Sequence, residues 1–196
     1  MCVLAYCIGS VSSAIIVCRL SGLPDPRTTG SKNPGTTNVL RLGGKLPAAI
    51  TLLGDVLKGV IAVALAVVYN PLPQNVGPVI LAVFLGHLYP IFFGFRGGKG
   101  VATAMGAVFV LSWPVGLMLV GTWIIMVLLF QISSLGALTA AFVAPLYIYL
   151  FGWKGPEFSI YVGVMSVLIF WCHRANIGRL LQGKEPKVNI FSKIRS

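Results

Sequence analysis

Long apolar runs separated by short polar connectors dominate this chain. A helix needs about 20 apolar residues to cross the roughly 30 Å hydrocarbon core of a bilayer. Four runs approach that length, and they cover about Cys2 to Leu20, Pro47 to Tyr69, Val76 to Phe93 and Phe158 to Cys172. The pattern therefore predicts an all-α integral membrane protein.

A further apolar stretch, Val101 to Phe151, is too long for one crossing. A proline ends or kinks a helix, so Trp113-Pro114 is one predicted break, and the polar cluster Gln131 to Ser134 is the other. These breaks give three crossings in the stretch and about seven in the chain. The first would be short, because Val101 to Ser112 rises only about 18 Å at 1.5 Å per residue.

The charges lie almost entirely in the connectors. The chain is 57% hydrophobic and 10% charged, and its 15 Lys and Arg against 4 Asp and Glu give a formal net charge of +11. Lys and Arg favour cytoplasmic loops, so we predict an external amino terminus and a cytoplasmic carboxyl terminus. The connectors assigned to the cytoplasm contain Arg27, Lys32, Arg41, Lys45, Arg96, Lys99, Arg174, Arg179, Lys184, Lys187, Lys193 and Arg195, and the opposite loops contain only Lys154.

This basic balance suits anionic lipid head groups or phosphorylated substrates. Nucleic acid is not an expected partner, because membrane spans interrupt the charge and no nucleic-acid motif surrounds it. The four cysteines have neither metal-ligand spacing nor the density of a disulfide framework, so we expect no metal and no cofactor. No basic segment precedes the first apolar run, which argues against a signal peptide. Residues 1–196 are therefore expected to form one membrane domain.

The first connector, Gly30 to Arg41, mixes glycine and proline with short polar side chains and cations. Glycine and proline favour tight turns, and backbone N–H groups together with cations can cradle an anion. A solvated loop is the alternative interpretation. The candidate anion-binding residues here are Ser31, Lys32, Asn33, Gly35, Thr37, Asn38 and Arg41.

The second polar segment is a glycine loop, Gly94 to Thr103, that leads into a predicted helix. Free N–H groups and the helix dipole favour phosphate at such a helix start. The segment is not a nucleotide P-loop, because Lys99 is followed by Gly100 rather than by Ser or Thr. A loop that only sets topology is the alternative. The candidate phosphate-binding residues are Arg96, Gly97, Gly98, Lys99, Gly100 and Thr103.

The third polar segment runs from His173 to Glu185. If the last apolar helix continues past the membrane, His173, Asn176 and Arg179 share one of its faces. A basic tail that lies on anionic lipid is the alternative. The spacing therefore favours a common site for these three side chains.

Ionisable residues also fall well inside the second and third apolar runs. Asp55 lies within the second run, where an ionised side chain costs on the order of 2.5 to 3.5 kcal/mol. Lys58 lies one turn away, so we expect the two to pair or to line a wet cavity. His87 lies in the third run, and we interpret it as a hydrogen-bonded structural histidine.

The order of these segments resembles a known family. Gly30 to Arg41, Gly86-His87 with Pro90 leading into Gly94 to Thr103, Ser133-Ser134, and His173 to Glu185 closely resemble the bacterial membrane acyl-phosphate:glycerol-3-phosphate acyltransferases. The resemblance runs from Gly9-Ser10 almost to the carboxyl end and includes Asp55 to Gly59. Thr36 replaces an expected alanine.

The resemblance implies an enzyme that transfers an acyl group from acyl phosphate to glycerol-3-phosphate and yields lysophosphatidic acid. It places the chain in the bacterial inner membrane, among phospholipids, with a cytoplasmic active site and no cofactor. Lys99 and Arg41 would hold the leaving phosphate, and Arg179 with Lys32 or Arg96 the acceptor phosphate. The implied catalytic residues are Lys99, His173, Asn176, Ser133 and Ser134, and Glu185 joins the implied substrate-binding residues.

The residues leave the catalytic base open between His173 and a phosphate oxygen of a substrate. Neither His87 nor His173 is followed four residues later by Asp, as in acyl-CoA-dependent glycerolipid acyltransferases. Two other classes compete with the enzyme. A transporter of a phosphorylated small molecule would place polar residues near the midplane and show repeated halves, and a noncatalytic scaffold would only need basic connectors.

Overall fold

The computed structural model describes residues 1–188, and this part of the chain is entirely helical apart from its loops. The prediction of an all-α protein is confirmed, while Lys193 and Arg195 lie outside the described residues. A 3₁₀ turn covers Ile91–Phe93. The α-helices are α1 Cys2–Gly9, α2 Ser13–Leu20, α3 Thr36–Gly43, α4 Lys45–Tyr69, α5 Pro73–Leu88, α6 Val101–Leu111, α7 Trp113–Phe130, α8 Ser133–Phe151, α9 Phe158–Cys172 and α10 Arg174–Leu181.

Several of these helices are long and apolar enough to cross a membrane. Five segments between residues 1 and 188 meet that condition, and a sixth is added if α9 and α10, which are bent by 60°, count as one span. The α6 helix is apolar but has only 11 residues. The prediction of a multi-pass membrane protein is therefore confirmed.

The predicted breaks in the long apolar stretch occur where the sequence placed them. The α7 helix begins at Trp113 and ends at Phe130, and the next residue, Gln131, has a left-handed φ of 57°. The α8 helix then begins at Ser133. Proline at the first turn of α7 and a left-handed residue at its end explain both boundaries.

Two helix predictions are wrong in detail. The first apolar run is one candidate span of 19 residues, as predicted, but it consists of two helices, because the chain leaves helical geometry at Ser12. The Lys58 ammonium donates a hydrogen bond to the Val11 carbonyl at this break, at 2.8 Å. The last helix does not continue straight past His173 but bends there by 60° into α10. His173 and Asn176 nevertheless keep their spacing on adjoining turns.

Close helix contacts depend on glycine. A Cβ atom on Gly59 would meet the backbone of Thr103 in α6, and one on Gly106 would meet the backbone of Val56 in α4. Small residues let membrane helices approach to backbone distance, where van der Waals packing replaces the hydrophobic effect as the driving force. The α4 and α6 helices are therefore held together where the glycine loop enters α6.

Candidate active site

The polar connectors meet at one end of the helices. Thr37 and Ser133 place their hydroxyl oxygens 3.4 Å apart, which joins the first connector to the start of α8. The Lys99 ammonium donates a hydrogen bond to the Asn176 side-chain oxygen, which joins the glycine loop to α10. Segments that the sequence separates by 77 to 96 positions thus form one site.

Asn38 organises the first connector from within. This side chain is 1% exposed, and its amide donates to the carbonyls of Pro26 and Thr29, both at 3.0 Å. Its oxygen accepts a hydrogen bond from the Ser31 backbone at 2.9 Å. Because these bonds already satisfy both amide protons, the geometry gives Asn38 a structural role, and its contact with substrate remains a prediction.

A second anchor ties the first connector to the end of the third apolar run. The Arg27 guanidinium pairs with the Asp25 carboxylate at 2.7 Å and donates to the Phe93 carbonyl at 2.9 Å. This pair was not predicted from the sequence as part of the site. Its sequence signature is an acid and a base that flank Pro26 immediately before the first polar segment.

The glycine loop lies directly on the end of α5. The Gly97 N–H donates to the Leu88 carbonyl at 3.1 Å, and the Gly98 N–H donates to the His87 carbonyl at 3.2 Å. These two N–H groups therefore face inward, which corrects the expectation that they are open to phosphate. The N–H groups at the start of α6 lack helical partners and carry the positive end of the helix dipole.

Glycine is required at the junction between this loop and α6. Gly100 has a left-handed φ of 83°, and a Cβ atom there would meet the Phe84 ring. Left-handed backbone is accessible to glycine at little cost. Glycine at this position therefore lets the chain turn from Lys99 directly into α6.

Glu185 joins the third segment to α8. Its side chain is 6% exposed. Ser134 donates to one carboxylate oxygen at 2.7 Å, Asn176 donates to the same oxygen, and Arg179 donates to the other oxygen at 2.7 Å. Burial raises the pKa of Glu185, but these hydrogen bonds outweigh it, so the pKa lies below its usual value. The carboxylate is therefore a charged hub rather than an open substrate ligand.

Lys99 is held in a partly desolvated place. Burial lowers the pKa of its ammonium to about 8, and the positive charges of Arg179 and Arg41 act in the same direction. The Glu185 carboxylate opposes this shift. A cation that is poorly solvated and close to other cations is stabilised by an incoming anion.

His173 is fixed in one tautomer by its backbone contact. The ring is 4% exposed, and its Nδ1 lies 2.8 Å from the Ile169 carbonyl oxygen. A carbonyl can only accept, so Nδ1 carries the proton in the neutral ring and Nε2 keeps a lone pair. This is the form that a histidine base requires.

The other candidate residues divide into exposed and buried groups. The exposed candidates include Lys32, Arg41 and Arg96, whose charges are accessible to a soluble anion. Thr103 is 0% exposed, and its hydroxyl lies 3.2 Å from His87 Nδ1. Direct contact of Thr103 with substrate therefore remains a prediction, and the geometry places this side chain in support of the site.

An apolar groove begins beside the glycine loop at Val101 and runs between α6, α7, α8 and α9. About 30 Å³ of it is free space, which is roughly the share of one water molecule in the liquid. Small side chains form its α8 wall. They are Ala137, Ala140, Ala141 and Ala144.

This structure defines a multi-pass membrane protein with a cationic, anion-suited site at one end of its helices and an apolar groove beside that site. Residues 1–183 match the family described as glycerol-3-phosphate acyltransferase. The chain belongs to this family, and the family and enzyme class predicted from the sequence are confirmed.

Individual relatives agree with this assignment. The chain is 57% identical over 184 residues to a glycerol-3-phosphate acyltransferase of Hydrogenovibrio crunogenus. The aligned residues cover 94% of this chain and 88% of the relative. It is 53% identical over 193 residues to that of Thioalkalivibrio sulfidiphilus, which covers 98% and 94%.

The fold is also that of a solved structure. The crystal structure of PlsY (YgiH), an integral membrane glycerol 3-phosphate acyltransferase, in its glycerol 3-phosphate form has a TM-score of 0.92 and 36% identity, with 100% of this chain and 97% of that chain covered. Its lysophosphatidic acid form has a TM-score of 0.88 and covers 95% and 92%.

Proposed function

We propose that this acyltransferase moves a fatty acyl group from acyl phosphate to the 1-hydroxyl of glycerol-3-phosphate. The products are 1-acyl-glycerol-3-phosphate and inorganic phosphate. The observation that carries the proposal is the bond between Lys99 and Asn176, which brings the glycine loop and α10 together around one cationic site. That site lies beside an apolar groove. The reaction needs both, because two phosphorylated substrates must bind and one of them carries a fatty chain.

Each substrate phosphate has its own cations in this proposal. Lys99, Arg41 and the first N–H groups of α6 hold the phosphate of the acyl donor, where negative charge grows as that phosphate leaves. Arg179 with Lys32 or Arg96 holds the phosphate of the acceptor. Fixing both anions aligns the acceptor hydroxyl with the acyl carbonyl, and alignment is a large part of rate enhancement in such transfers.

Acyl transfer is direct in this scheme. The acceptor oxygen attacks the acyl carbonyl, the new ester bond forms, and the bond from the acyl carbon to the phosphate oxygen breaks. The hydroxyl proton goes to His173 Nε2 or to a substrate phosphate oxygen. Asn176 and the hydroxyls of Ser133 and Ser134 orient the reacting groups. Acyl phosphate is a mixed anhydride, so no covalent enzyme intermediate is needed.

The apolar groove at Val101 holds the acyl chain. Its present free volume is far smaller than a fatty chain, so binding requires the helices that line the groove to move apart. The acyl phosphate group then lies at the mouth of the groove, beside Lys99.

The donor is tested with purified protein, glycerol-3-phosphate and either acyl phosphate or acyl-CoA. We expect lysophosphatidic acid and released phosphate with acyl phosphate, and no product with acyl-CoA. Lys99→Ala should abolish most transfer while the protein stays folded in detergent. Lys154→Ala, in the opposite loop, is the matched control and should act normally. Efficient use of acyl-CoA would overturn the donor, and a normal Lys99→Ala variant would remove Lys99 from the mechanism.

The proposal also places the site on the cytoplasmic side of the bacterial inner membrane. With α6 as a short crossing the chain crosses seven times, and Lys99 and Arg179 lie inside while Lys154 lies outside. Single cysteines at positions 96 and 154 in a cysteine-free background test this orientation. Only position 154 should react with an impermeant thiol reagent in intact cells, and labelling at position 96 would reverse the topology.

A further inference from the structure

A buried polar cluster lies behind the glycine loop, and the proposed reaction does not use it. It joins α4, α5 and α6, and its members are 0 to 6% exposed. Polar and charged groups at such depth in a membrane protein are costly, and they commonly mark functional positions. The members are Asp55, Lys58, His87 and Thr103.

Contacts fix one edge of the His87 ring. Its Nδ1 lies 3.2 Å from the Thr103 hydroxyl and 3.7 Å from an Asp55 carboxylate oxygen. The same Asp55 oxygen lies 3.0 Å from the Lys58 ammonium, and Lys58 also bonds to the Val11 carbonyl. The ring, which belongs to α5, is therefore held by side chains of two other helices, Thr103 of α6 and Asp55 of α4.

The opposite edge of the ring supports the glycine loop. A Cβ atom on Gly98 would meet His87 Nε2, and it would lie 2.9 Å from the Pro34 carbonyl oxygen. The Gly98 N–H also donates to the His87 carbonyl. Gly98 is thus enclosed between the ring and the first connector, and the residue that follows is Lys99.

We infer that His87 is a positioning residue for acyl transfer. Its ring, oriented by Asp55 and Thr103, fixes the position of the backbone at Gly98. The backbone position at Gly98 in turn determines where the Lys99 ammonium and the first N–H groups of α6 contact the donor phosphate. The inference rests on the proposed role of Lys99, and it assigns His87 no contact with substrate.

Two substitutions at His87 separate the edges of the ring. Asn places its amide near the position of Nδ1 and leaves the space beside Gly98 empty, whereas Gln reaches the position of Nε2. We expect His87→Asn to lower kcat/KM for acyl phosphate by about 10- to 100-fold, since small misplacements of reacting groups cost this much. His87→Gln should restore most of that loss.

Folding and positioning are distinguished by the kinetic constants of the folded fraction. We expect His87→Asn to raise KM for acyl phosphate or lower kcat in monodisperse protein whose thermal midpoint is close to that of the wild type. Ser112→Ala is the control, because Ser112 is 1% exposed at the far end of α6 and contacts Phe151 rather than the loop. It should leave both constants unchanged.

The Asp55 clamp gives a second test. Asp55→Asn alone leaves the Lys58 charge buried without its partner and is expected to unfold the protein. The neutral pair Asp55→Asn/Lys58→Met avoids that charge and should reduce kcat/KM less than His87→Asn, because Thr103 still holds the ring.

Three results would overturn the inference. They are unchanged constants in His87→Asn, equal losses in His87→Asn and His87→Gln, and loss of folded protein in both His87 variants and the neutral pair. An inactive Lys99→Ala beside a normal His87→Asn would refute only the role of His87. A normal Lys99→Ala would instead refute the proposed function of the loop.

Discussion

The ionisation of Lys99 gives the sharpest prediction of this structure. Its ammonium has a pKa of about 8, because partial burial lowers the pKa and the nearby charges of Arg179 and Arg41 act in the same direction. If the charged form holds the donor phosphate, kcat/KM must follow the fraction of free enzyme that carries this charge. Activity should therefore fall as the pH rises through about 8.

The size of the effect follows from the pKa. With a pKa of about 8, roughly nine tenths of the enzyme is charged at pH 7, and about one tenth at pH 9. Above the pKa, kcat/KM should decline about tenfold for each pH unit. Ionisation of the substrates does not cause a decline in this pH range, because phosphate monoesters have their second pKa near 6.

Initial rates of phosphate release between pH 6 and 10 measure this profile, with an enzyme-free blank at each pH for spontaneous donor hydrolysis. Lys99→Arg is the matched variant, since a guanidinium stays charged throughout the range. Whatever activity Lys99→Arg retains should stay level to pH 10. A level wild-type profile, or the same decline in Lys99→Arg, would refute the reasoning.

The same shift makes a stability prediction of defined sign. The folded-state pKa of Lys99 lies below the unfolded value of 10.5, so between about pH 8 and 10.5 the unfolded chain binds more protons. The contribution of Lys99 to stability therefore increases with pH through this window and is unfavourable at neutral pH. Lys99→Met should raise the thermal midpoint at pH 7 while it abolishes transfer. A lower midpoint would contradict the shift.

The remaining predictions concern other parts of the site and its scaffold. Ser134→Ala removes one hydrogen-bond donor from the Glu185 carboxylate, and a hydrogen bond to a charged group contributes about 1.5 to 3 kcal/mol. We therefore expect a roughly tenfold or larger fall in kcat/KM, which the control variant Ser159→Ala should not show. Gly106→Val should destabilise the α4–α6 contact by about 1 to 3 kcal/mol, measured as a lower thermal midpoint in detergent. Gly121→Val is the control, because a Cβ atom there meets nothing within 4 Å. His173→Gln should lower kcat by about 10²- to 10⁴-fold if His173 is the base, whereas a small effect in single-turnover experiments would favour a substrate phosphate oxygen.

The helices were largely predictable because bilayer thickness fixes the length of an apolar run. The starts of α7 and α8 were marked by Pro114 and by the polar residues around Gln131, both of which act locally. The break before α2 was missed because its stabilising partner, Lys58, lies 47 positions away from Val11. Contacts of that range leave no periodic pattern in the sequence.

The site was predictable as a set of segments but less so as a set of contacts. Lys99 and Asn176 were both selected for their chemistry, and the structure joins them. The inward direction of the Gly98 N–H was missed, because it depends on how the loop lies on His87. The pairing of Asp55 with Lys58 followed from their spacing on one helix, and the 3.0 Å contact confirms it.

Three helix starts add to the side-chain charges of the proposed anion site. The α3, α6 and α8 helices all begin at this site, at Thr36, Val101 and Ser133. Each helix start contributes partial positive charge and N–H groups without helical partners. Glu185 contacts the start of α8 through Ser134, and Asn176 and Arg179 of α10 are its other side-chain donors. In the proposed mechanism, both substrate phosphates bind to the cations of the site, and this carboxylate keeps Ser134, Asn176 and Arg179 in place.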